Sequence, residues 1–412
     1  MKVALVSYLF DPTLGGGAVR SARILARGLA EQGHEVVVIT THPRRQLAVE
    51  RGEGITIYRF FPWNLYWVAD KDKQPRWKKV PWQLMDIWNP HVFRVVRGIL
   101  AQERPDIVHV NKLRGLSPSV WAAARAAGKI PVVQTCRDYE LLSPEGTLGS
   151  TVGSWAQRGA WFIRPYTWAR ARFSRAVTAA TAPSLYTLDT LTQHGFFPKA
   201  VTMVIPNSHG LTLEQLNQSF EHAGASHYPT DKTIHVLYLG RLEAAKGVDT
   251  LCSAFERLAA RFPSLRLDVA GWGALEPSLR ERYGTHPQIA FHGPVFGEEK
   301  ARLLAGCHVV VVPSTWPEVF GNVIVEAYAC GKPVIASRAG GIPESVCEGE
   351  TGWLFPPGDL EALADAIRRV AEDPAGANGM AQACFAAARQ YAVECVVGDY
   401  AALYREICNP MG

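Results

Sequence analysis

The sequence of 412 residues lacks long apolar runs and paired cysteines, and each absence excludes a class of protein. No run of eighteen apolar residues occurs, so we expect no membrane-spanning helix. The eight cysteines are scattered without a C-x-x-C pair, which argues against a zinc site and against a disulfide framework. The sequence therefore predicts a globular protein of the reducing cytoplasm.

The fingerprint of NAD- and FAD-binding proteins is also incomplete. A glycine-rich turn, Gly15-Gly16-Gly17, follows the first apolar run and opens a helical pattern, where backbone N–H groups and the helix dipole suit an anion. The fingerprint would need glycine at position 20, where Arg20 stands, and an acid after the second strand, where "VITTHP" has none. The turn is thus an anion-binding loop or a plain tight turn, and an NAD-type oxidoreductase is disfavoured.

The length and the pattern of the chain indicate two domains. Apolar residues make up 48% of the chain and charged residues 20%, as in ordinary globular proteins, and the length exceeds what one hydrophobic core usually supports. Short β-rich runs alternate with helical patterns in two series, which predicts two doubly wound α/β domains with parallel sheets, facing each other across a cleft. We place the domains at 1–206 and 207–390, and expect a last helix at 391–412 to pack back on the first domain.

Two cations follow the first strand of the second domain. In "LYLGRLEAAKGVDTL", Arg241 and Lys246 come just after a strand that ends at Gly240. An arginine fork and a lysine point charge at the carboxyl end of a strand suit a diphosphate. Surface cations are commonly just solvated, so it is their position beside other strand-end loops that favours a binding role.

Two carboxylates lie eight residues apart in another of these loops, "PSTWPEVFGNVIVEAYACGK". Phe320-Gly321-Asn322 is typical of a turn that begins a helix, so Glu318 is expected before that helix and Glu326 about one turn inside it. The free N–H groups of the helix start suit a phosphate, and the carboxylates suit hydroxyl groups on either side of it. A hydrolase pair or a metal site would need surroundings that the sequence does not show.

Taken together, these motifs resemble those of the retaining glycosyltransferases of family 4, which have the GT-B fold. The second domain matches nearly throughout, in "GRLEAAKGVDTL", "LDVAGWG", "FHGPV", "VVVPSTWPEVFGNVIVEAYACGKPVIAS", "GGIPESV" and "GWLFPPGD". The first domain matches through "GGGAVR", "RPDIVHV", "RDYELLSP", "APS" and "VIPN". The E-x7-E spacing together with the Arg and Lys pair is the most specific part of the resemblance.

The resemblance implies a role for each of these residues. It implies that Arg241 and Lys246 bind the diphosphate of the donor. It also implies that Glu318 holds hydroxyl groups of the transferred sugar and that Glu326 binds the ribose. The further donor contacts that it implies are Gly16, Gly17, Gly271, Gly273, Val295, Phe320, Gly321, Asn322 and Val323.

The implied reaction is sugar transfer from a nucleotide-diphosphate-sugar to a carbohydrate or lipid-linked acceptor with retention, in polysaccharide or glycolipid synthesis. The leaving phosphate oxygen accepts the proton of the acceptor, so the protein supplies charge stabilisation and needs no cofactor. No metal is expected, since the one D-x-D, Asp70-Lys71-Asp72, lies among lysines and is interpreted as solvated surface. An epimerase, a phosphorylase or a non-catalytic sugar-nucleotide sensor of the same fold remains an alternative.

One segment departs from the family pattern. Many relatives carry Thr-x-His-Asp-Tyr after a strand of the first domain, whereas here Arg137 takes the place of that His, in Thr135-Cys136-Arg137-Asp138-Tyr139. Because an arginine cannot shuttle a proton as a neutral imidazole does, Arg137 is expected to contact a phosphate of the donor or the acceptor. Arg137 and Asp138 are candidate catalytic residues on this basis. His109, in "DIVHVN", is either a cleft residue or a satisfied structural histidine.

Tryptophans and cations cluster in two segments of the first domain, "WNLYWVADKDKQPRWKKVPWQLMDIW" and "WAQRGAWFIRPYTWARARFSR". The tryptophans are Trp63, Trp67, Trp77, Trp82 and Trp88 in the first segment and Trp155, Trp161 and Trp168 in the second. Such clusters suit the headgroup region of an anionic membrane, an acceptor groove that stacks sugars, or core aromatics beside a solvated face. Contact with the inner face of the cell membrane is one of these three interpretations, and the net charge of +5 is too small to favour nucleic acid.

Overall fold

The computed structural model describes residues 1–11, 16–148, 151–161, 163–225 and 233–409. The chain divides into two compact units. Unit 1 consists of Met1–Asn207 together with Val393–Gly412, and unit 2 consists of Ser208–Ala392. The sequence predicted divisions after residues 206 and 390, and the compact units divide after Asn207 and Ala392.

Unit 1 is built on an eight-stranded sheet. Its strands are β1 (Lys2–Ser7), β2 (Glu35–Thr41), β3 (Ala48–Gly52), β4 (Ile55–Phe60), β5 (Ile107–Lys112), β6 (Val132–Thr135), β7 (Ala179–Ala182) and β8 (Val201–Val204). They lie in the order β3-β4-β2-β1-β5-β6-β7-β8, and β3 with β4 is the antiparallel pair of an otherwise parallel sheet. The central strands read as continuous apolar runs because both of their faces are buried.

The strands of unit 2 form a second, wholly parallel sheet. They are β9 (Ile234–Leu239), β10 (Leu265–Ala270), β11 (Ile289–Gly293), β12 (Val309–Val312), β13 (Val334–Ser337) and β14 (Gly352–Phe355). Their order is β11-β10-β9-β12-β13-β14, so the chain reverses its direction of travel across the sheet between β9 and β12. Ligands of such sheets bind at the carboxyl ends of the strands beside this reversal, so the loops after β9 and β12 are the first place to look for a site.

Helices connect these strands and, for the most part, alternate with them. They are α1 (Gly17–Glu31), α2 (Arg76–Ile87), α3 (Pro90–Glu103), α4 (Ser119–Ala126), α5 (Thr151–Gln157), α6 (Arg164–Phe173), α7 (Leu185–Gln193), α8 (Leu213–Ala225), α9 (Val248–Ala259), α10 (Glu276–Tyr283), α11 (Gly297–Gly306), α12 (Asn322–Tyr328), α13 (Leu360–Glu372), α14 (Pro374–Gly379), α15 (Ala381–Ala388) and α16 (Val393–Cys408). Several begin where the sequence offers a cap. The Asn89 side chain accepts the N–H groups of His91 and Val92, and Asp359 accepts that of Ala362.

The last helix, α16, belongs to the core of unit 1. It packs against α1, and Val397, Tyr400 and Tyr404 are buried in the same apolar cluster as Leu25 and Leu29. In unit 2, alternate residues of β9 enter the cores on the two opposite faces of the sheet, so that both faces are covered. Each unit therefore has the three-layer arrangement that the alternating pattern predicts.

The predicted fold class, two doubly wound α/β domains, is confirmed. Two strands are not marked by the apolar pattern of the sequence. The strand β3 is an edge strand with an exposed, polar sequence, and β14 is an edge strand with the sequence GWLF, so neither has the β-branched apolar run that marks a central strand. No helix among the described residues is long and apolar enough to cross a bilayer.

Candidate functional site

Loops at the carboxyl ends of the unit 2 strands are hydrogen-bonded to one another. The Thr315 N–H donates to the carbonyl of Ala245 at 2.9 Å, which joins the loop after β12 to the loop after β9. The Gly341 N–H donates to the carbonyl of Glu318 at 2.7 Å, which joins the loop after β13 to the loop after β12. The backbone that carries the predicted site residues is therefore fixed by contacts between loops that are far apart in sequence.

Two predicted donor contacts, Gly271 and Gly273, lie where two backbone segments touch. A Cβ atom at position 271 would lie 1.7 Å from the carbonyl oxygen of Gly240, and one at position 273 would lie 2.4 Å from that of Leu242. Only glycine permits the two segments to lie so close. The Leu242 N–H donates a hydrogen bond to the Trp272 carbonyl at 2.8 Å, which joins the same two segments. Packing of the loops accounts for both glycines, and a contact of theirs with a ligand stays a prediction.

The carboxylate of Glu318 is buried and is held through one of its two oxygens. Its Oε1 accepts hydrogen bonds from Lys246 Nζ at 2.5 Å, Ser314 Oγ at 2.6 Å and Trp316 Nε1 at 2.9 Å. Within the described part of the chain, no donor lies within hydrogen-bond distance of Oε2. Glu318 is thus locked in orientation while one oxygen keeps its capacity to accept hydrogen bonds.

The two predicted cations differ in their surroundings. Lys246 ends a short 3-10 turn before α9, pairs with Glu318, and lies 5.0 Å from the centre of the Trp316 ring. Arg241 is more than half exposed and pairs with Glu243 at 2.9 Å. The structure therefore brings Lys246 to the carboxylate and leaves the guanidinium of Arg241 at the surface.

The second carboxylate, Glu326, is buried in α12. Its Oε2 accepts a hydrogen bond from Lys300 Nζ, on α11, at 2.6 Å. The sequence interpretation missed Lys300, because a single lysine in a helical pattern carries no signal and its partner lies 26 residues further along the chain. Each of the two carboxylates of the E-x7-E motif is thus paired with one lysine.

The start of α12 follows a residue in the left-handed region, Gly321, at φ 90°. The ring of the preceding Phe320 is buried edge-on against Tyr391, with ring centres 5.8 Å apart. The side chain of Val295 is buried in the same apolar cluster. Both side chains belong to the core, so a ligand would meet these residues through their backbone. The next two predicted contacts, Asn322 and Val323, are half-buried at the first turn of the helix.

In unit 1, Arg137 is held by two asparagines. Its Nε donates to Asn111 Oδ1 at 2.5 Å and its Nη1 donates to Asn207 Oδ1. Asn111 also donates to the carbonyl of Ala18 at 3.0 Å, which ties the guanidinium to the first turn of α1. Burial lowers the pKa of Arg137 from its ordinary value.

The predicted glycines at the start of α1 lie beside this first turn. The carbonyl of Gly16 accepts the N–H groups of Val19 and Arg20, at 3.1 and 3.2 Å, and Gly17 begins the helix. Both glycines are exposed, and Gly15 lies outside the described residues.

Asp138 is part of a buried charge cluster. It forms an ion pair with Lys112, and its Oδ1 accepts the N–H of Glu140 at 2.9 Å. Burial by itself would lower the pKa of Lys112, but the carboxylate of Asp138 raises it above the ordinary value. Asp138 is therefore held as one half of an ion pair within unit 1.

Glu140, which sequence reasoning did not select, is the second carboxylate of this cluster. Its Oε1 accepts the N–H of Leu113 at 2.6 Å, and its Oε2 is buried without a hydrogen-bond partner among the described residues. Burial and the neighbouring charge of Asp138 raise the pKa of Glu140 to about 7. Its only signal in the sequence was its position in "RDYE", two residues after Asp138.

The structure shows His109 to be a satisfied core residue. Its Nδ1 lies 2.5 Å from the hydroxyl of Tyr404, on α16, and its Nε2 lies 2.7 Å from the hydroxyl of Thr135. Burial, assisted by the charge of Arg137, lowers the pKa of His109 to about 3. Of the two interpretations left open by the sequence, the geometry favours the structural one.

This burial predicts a pH dependence of stability. His109 stays neutral in the folded chain down to about pH 3, whereas an unfolded histidine takes up a proton near pH 6.5, so stability is lost as the pH falls below 6.5. We expect His109 to contribute a loss of about 1.4 kcal/mol per pH unit between pH 6 and 4. Urea unfolding of the wild type and of His109→Gln at several pH values measures the slope, and equal slopes would contradict the burial of a neutral imidazole.

The D-x-D segment lies on a 3-10 turn, Val68–Lys73. Asp70 Oδ1 pairs with Lys73 Nζ at 3.1 Å, and the side chain of Asp72 lies outside the described residues. Across the described ranges, no three His, Cys, Asp or Glu side chains are placed to share a metal ion.

Comparisons with known proteins find similarity in both units of the chain. A family model described as "Glycosyltransferase Family 4" matches residues 15–209, and one described as "Glycosyl transferases group 1" matches residues 233–373. An uncharacterized 42.6 kDa protein in the cps region of Klebsiella pneumoniae is 29% identical over 84% of this chain and 87% of its own length.

Two solved structures share the fold over nearly the whole chain. Sucrose-phosphate synthase from Thermosynechococcus elongatus has a TM-score of 0.76 and 24% identity, covering 98% of each chain. HepE of Anabaena, solved in complex with UDP-glucose, has a TM-score of 0.65 and 23% identity, covering 98% of this chain and 99% of its own. These similarities show a common architecture in both units.

Proposed function

Because the chain belongs to the glycosyltransferases of the GT-B fold, we propose that it transfers a sugar from a nucleotide-diphosphate-sugar with retention and without a metal ion. The acceptor that we propose is a carbohydrate or a lipid-linked carbohydrate, in polysaccharide or glycolipid synthesis. UDP-sugars are the first donors to test, since HepE, of similar fold, was solved with UDP-glucose.

The environment of Glu318 is the observation that carries the proposal. Three donors hold its Oε1, while the other oxygen has none among the described residues. A buried carboxylate oriented in this way is suited to accept hydrogen bonds from sugar hydroxyls. Its side chain is already ordered in the folded chain, so it loses little conformational entropy when a sugar binds. We assign the hydroxyl groups of the transferred sugar to Glu318.

The cations of unit 2 supply the charge stabilisation that the reaction needs. As the bond from the sugar C1 to the phosphate oxygen breaks, negative charge grows on the departing diphosphate. We assign the diphosphate to Lys246, which pairs with Glu318, and to Arg241, which is exposed at the same loop. The acceptor oxygen forms the new bond to C1 on the same face, and its proton passes to the leaving phosphate oxygen. No protein base and no metal ion are required in this sequence.

In unit 1 we assign acceptor recognition to the segment around Arg137. The guanidinium is fixed by Asn111 and Asn207, and Asp138 is fixed by Lys112. An arginine held in this way can contact a phosphate but cannot accept a proton from a hydroxyl group. Arg137 therefore suits an anionic group of a substrate rather than the role of the histidine that it replaces.

Glu326 is the residue that we assign to the ribose. A hydrogen bond to a charged group contributes about 1.5–3 kcal/mol, so we expect Glu326→Gln to weaken nucleotide binding by at least about tenfold. The measurement is the thermal shift produced by UDP, GDP and ADP, each with and without a sugar, in the wild type and the variant. One nucleotide family should stabilise the wild type, and the shift should be much smaller in Glu326→Gln.

Two controls make this experiment specific. Glu350→Gln removes an exposed carboxylate of unit 2 and should leave the shift unchanged. The 2′-deoxy and 3′-deoxy forms of the preferred nucleotide should bind the wild type weakly. In Glu326→Gln their affinity should be little lower than that of the nucleotide itself, because the two changes remove the same contact. Equal shifts in the wild type and in Glu326→Gln would remove the ribose role.

A further inference from the structure

The exposed face of α2 is apolar, which reverses the usual pattern of a surface helix. Trp82 and Asp86 lie on its buried side, whereas Trp77, Val80 and Leu84 point outward at spacings of three and four residues. Their exposed fractions are 70%, 65% and 63%. An apolar stripe of this kind on a helix of a globular protein marks a surface that something covers.

The helix α6 lies beside α2 and extends this surface. Asp86 of α2 and Arg170 of α6 form a buried ion pair at 2.8 Å, and the rings of Trp88 and Phe173 lie 5.0 Å apart. On the exposed face of α6, Trp168 is 70% exposed, and Trp161 in the preceding turn is 80% exposed. The two helices are thus joined by their inner faces and carry large apolar side chains outward. We call this surface the α2–α6 face.

The charges around the α2–α6 face have one sign. Arg164 and Arg172 flank Trp168 at four residues on either side, and Lys79 stands between Trp77 and Val80. These three cations are exposed and have no ion-pair partner among the described residues. The stretches 73–88 and 154–175 hold nine Lys and Arg residues and a single acid, Asp86, which is buried against Arg170.

Exposed tryptophans flanked by unpaired cations are what the interfacial region of a bilayer accommodates. An indole ring sits at the level of the headgroups with its apolar body toward the acyl chains, and lysine or arginine beside it meets the phosphates. On both helices, the exposed charged side chains that the structure describes are all positive, which suits the phosphates of a bilayer surface. From this geometry we propose that the α2–α6 face docks on a membrane surface rich in anionic phospholipid.

The proposal is tested by flotation of the whole chain with lipid vesicles. We expect binding to vesicles of phosphatidylcholine with one-third phosphatidylglycerol, little binding to phosphatidylcholine alone, and a loss of binding as salt rises from about 0.1 M to 0.5 M. Trp168→Ser and Leu84→Ser are each expected to weaken binding about tenfold or more. Leu47→Ser is the matched control, because Leu47 is 53% exposed in the same unit but lies on the loop before β3.

The charge contribution has its own pair of variants. Arg164→Gln with Arg172→Gln removes two cations of the α2–α6 face and should weaken binding by about fivefold for each. Arg125→Gln with Lys129→Gln, at the end of α4, removes two exposed cations elsewhere in unit 1 and should change little. All these side chains are exposed, so the unfolding midpoint should be unaffected.

Three results would overturn the proposal. The first is no binding to anionic vesicles, or equal binding to neutral ones. The second is binding that survives Trp168→Ser and the double arginine variant, which would put the lipid contact elsewhere. The third is self-association of the wild type that Leu84→Ser abolishes, because the face would then be an interface between copies of the chain.

Discussion

Replacing Lys246 by methionine is expected to lower kcat by about 10²–10³-fold, with a much smaller effect on donor affinity. The reason is that the charge of the diphosphate increases as its bond to the sugar breaks, so the lysine contributes most in the transition state. Sugar transfer from the preferred donor measures kcat, and titration of the donor without acceptor measures affinity. Arg261→Met, which removes an exposed cation just after α9, is the control and should retain full activity.

The pairing of Lys246 with Glu318 requires a second comparison. Lys246 could act on the diphosphate or only neutralise the buried carboxylate at 2.5 Å. In a Glu318→Gln background the carboxylate charge is absent, so a lysine that only neutralised it would no longer matter. We expect Lys246→Met to cost at least about tenfold in kcat in that background also. An unchanged kcat there, or in the single variant, would remove Lys246 from the chemistry.

Removing one partner of the Asp86–Arg170 ion pair is expected to have the largest effect on stability. Both side chains are buried, and Asp86 also accepts the N–H of Gly115 at 2.9 Å. Asp86→Leu leaves the guanidinium in the core without its ion-pair partner, and such a change typically costs about 3–5 kcal/mol. Thermal or urea unfolding measures the loss. Asp189→Leu, at an exposed position of α7, should stay within about 0.5 kcal/mol of the wild type.

The double variant distinguishes a paired charge from simple packing. Burial raises the pKa of Asp86 to about 6, which indicates that the carboxylate loses much solvation on folding. The double variant Asp86→Leu with Arg170→Met removes both buried charges. The free-energy cost of desolvating them is lost together with the attraction between them, so most of the stability lost in Asp86→Leu should return. A double variant that is less stable than Asp86→Leu would show that packing, not the unpaired charge, dominates the site.

The fold class was accessible from the sequence because its signals are local. Continuous apolar runs such as "VALV" and "VVVV", each followed by a helical pattern, are visible within windows of a few residues and require parallel sheets. The edge strands β3 and β14, which lack such runs of β-branched residues, gave no such signal. They are held by their neighbours in the sheet, and pairing partners are not visible in a local window.

The sequence by itself determined the two-domain α/β architecture, the positions of Arg241, Lys246 and Glu318 on strand-end loops, and that of Glu326 in the helix that follows. Period and spacing are properties of the chain. Only the tertiary structure decided which side chains are hydrogen-bonded to one another. Lys246 contacts Glu318, 72 residues further along the chain, and His109 contacts Tyr404, 295 residues further along. It also decided that the α2–α6 face is exposed while Trp82 and Trp121 are buried. The physical reason is that burial and ion pairing depend on which elements come together in space, and strand order, not sequence separation, sets those neighbours.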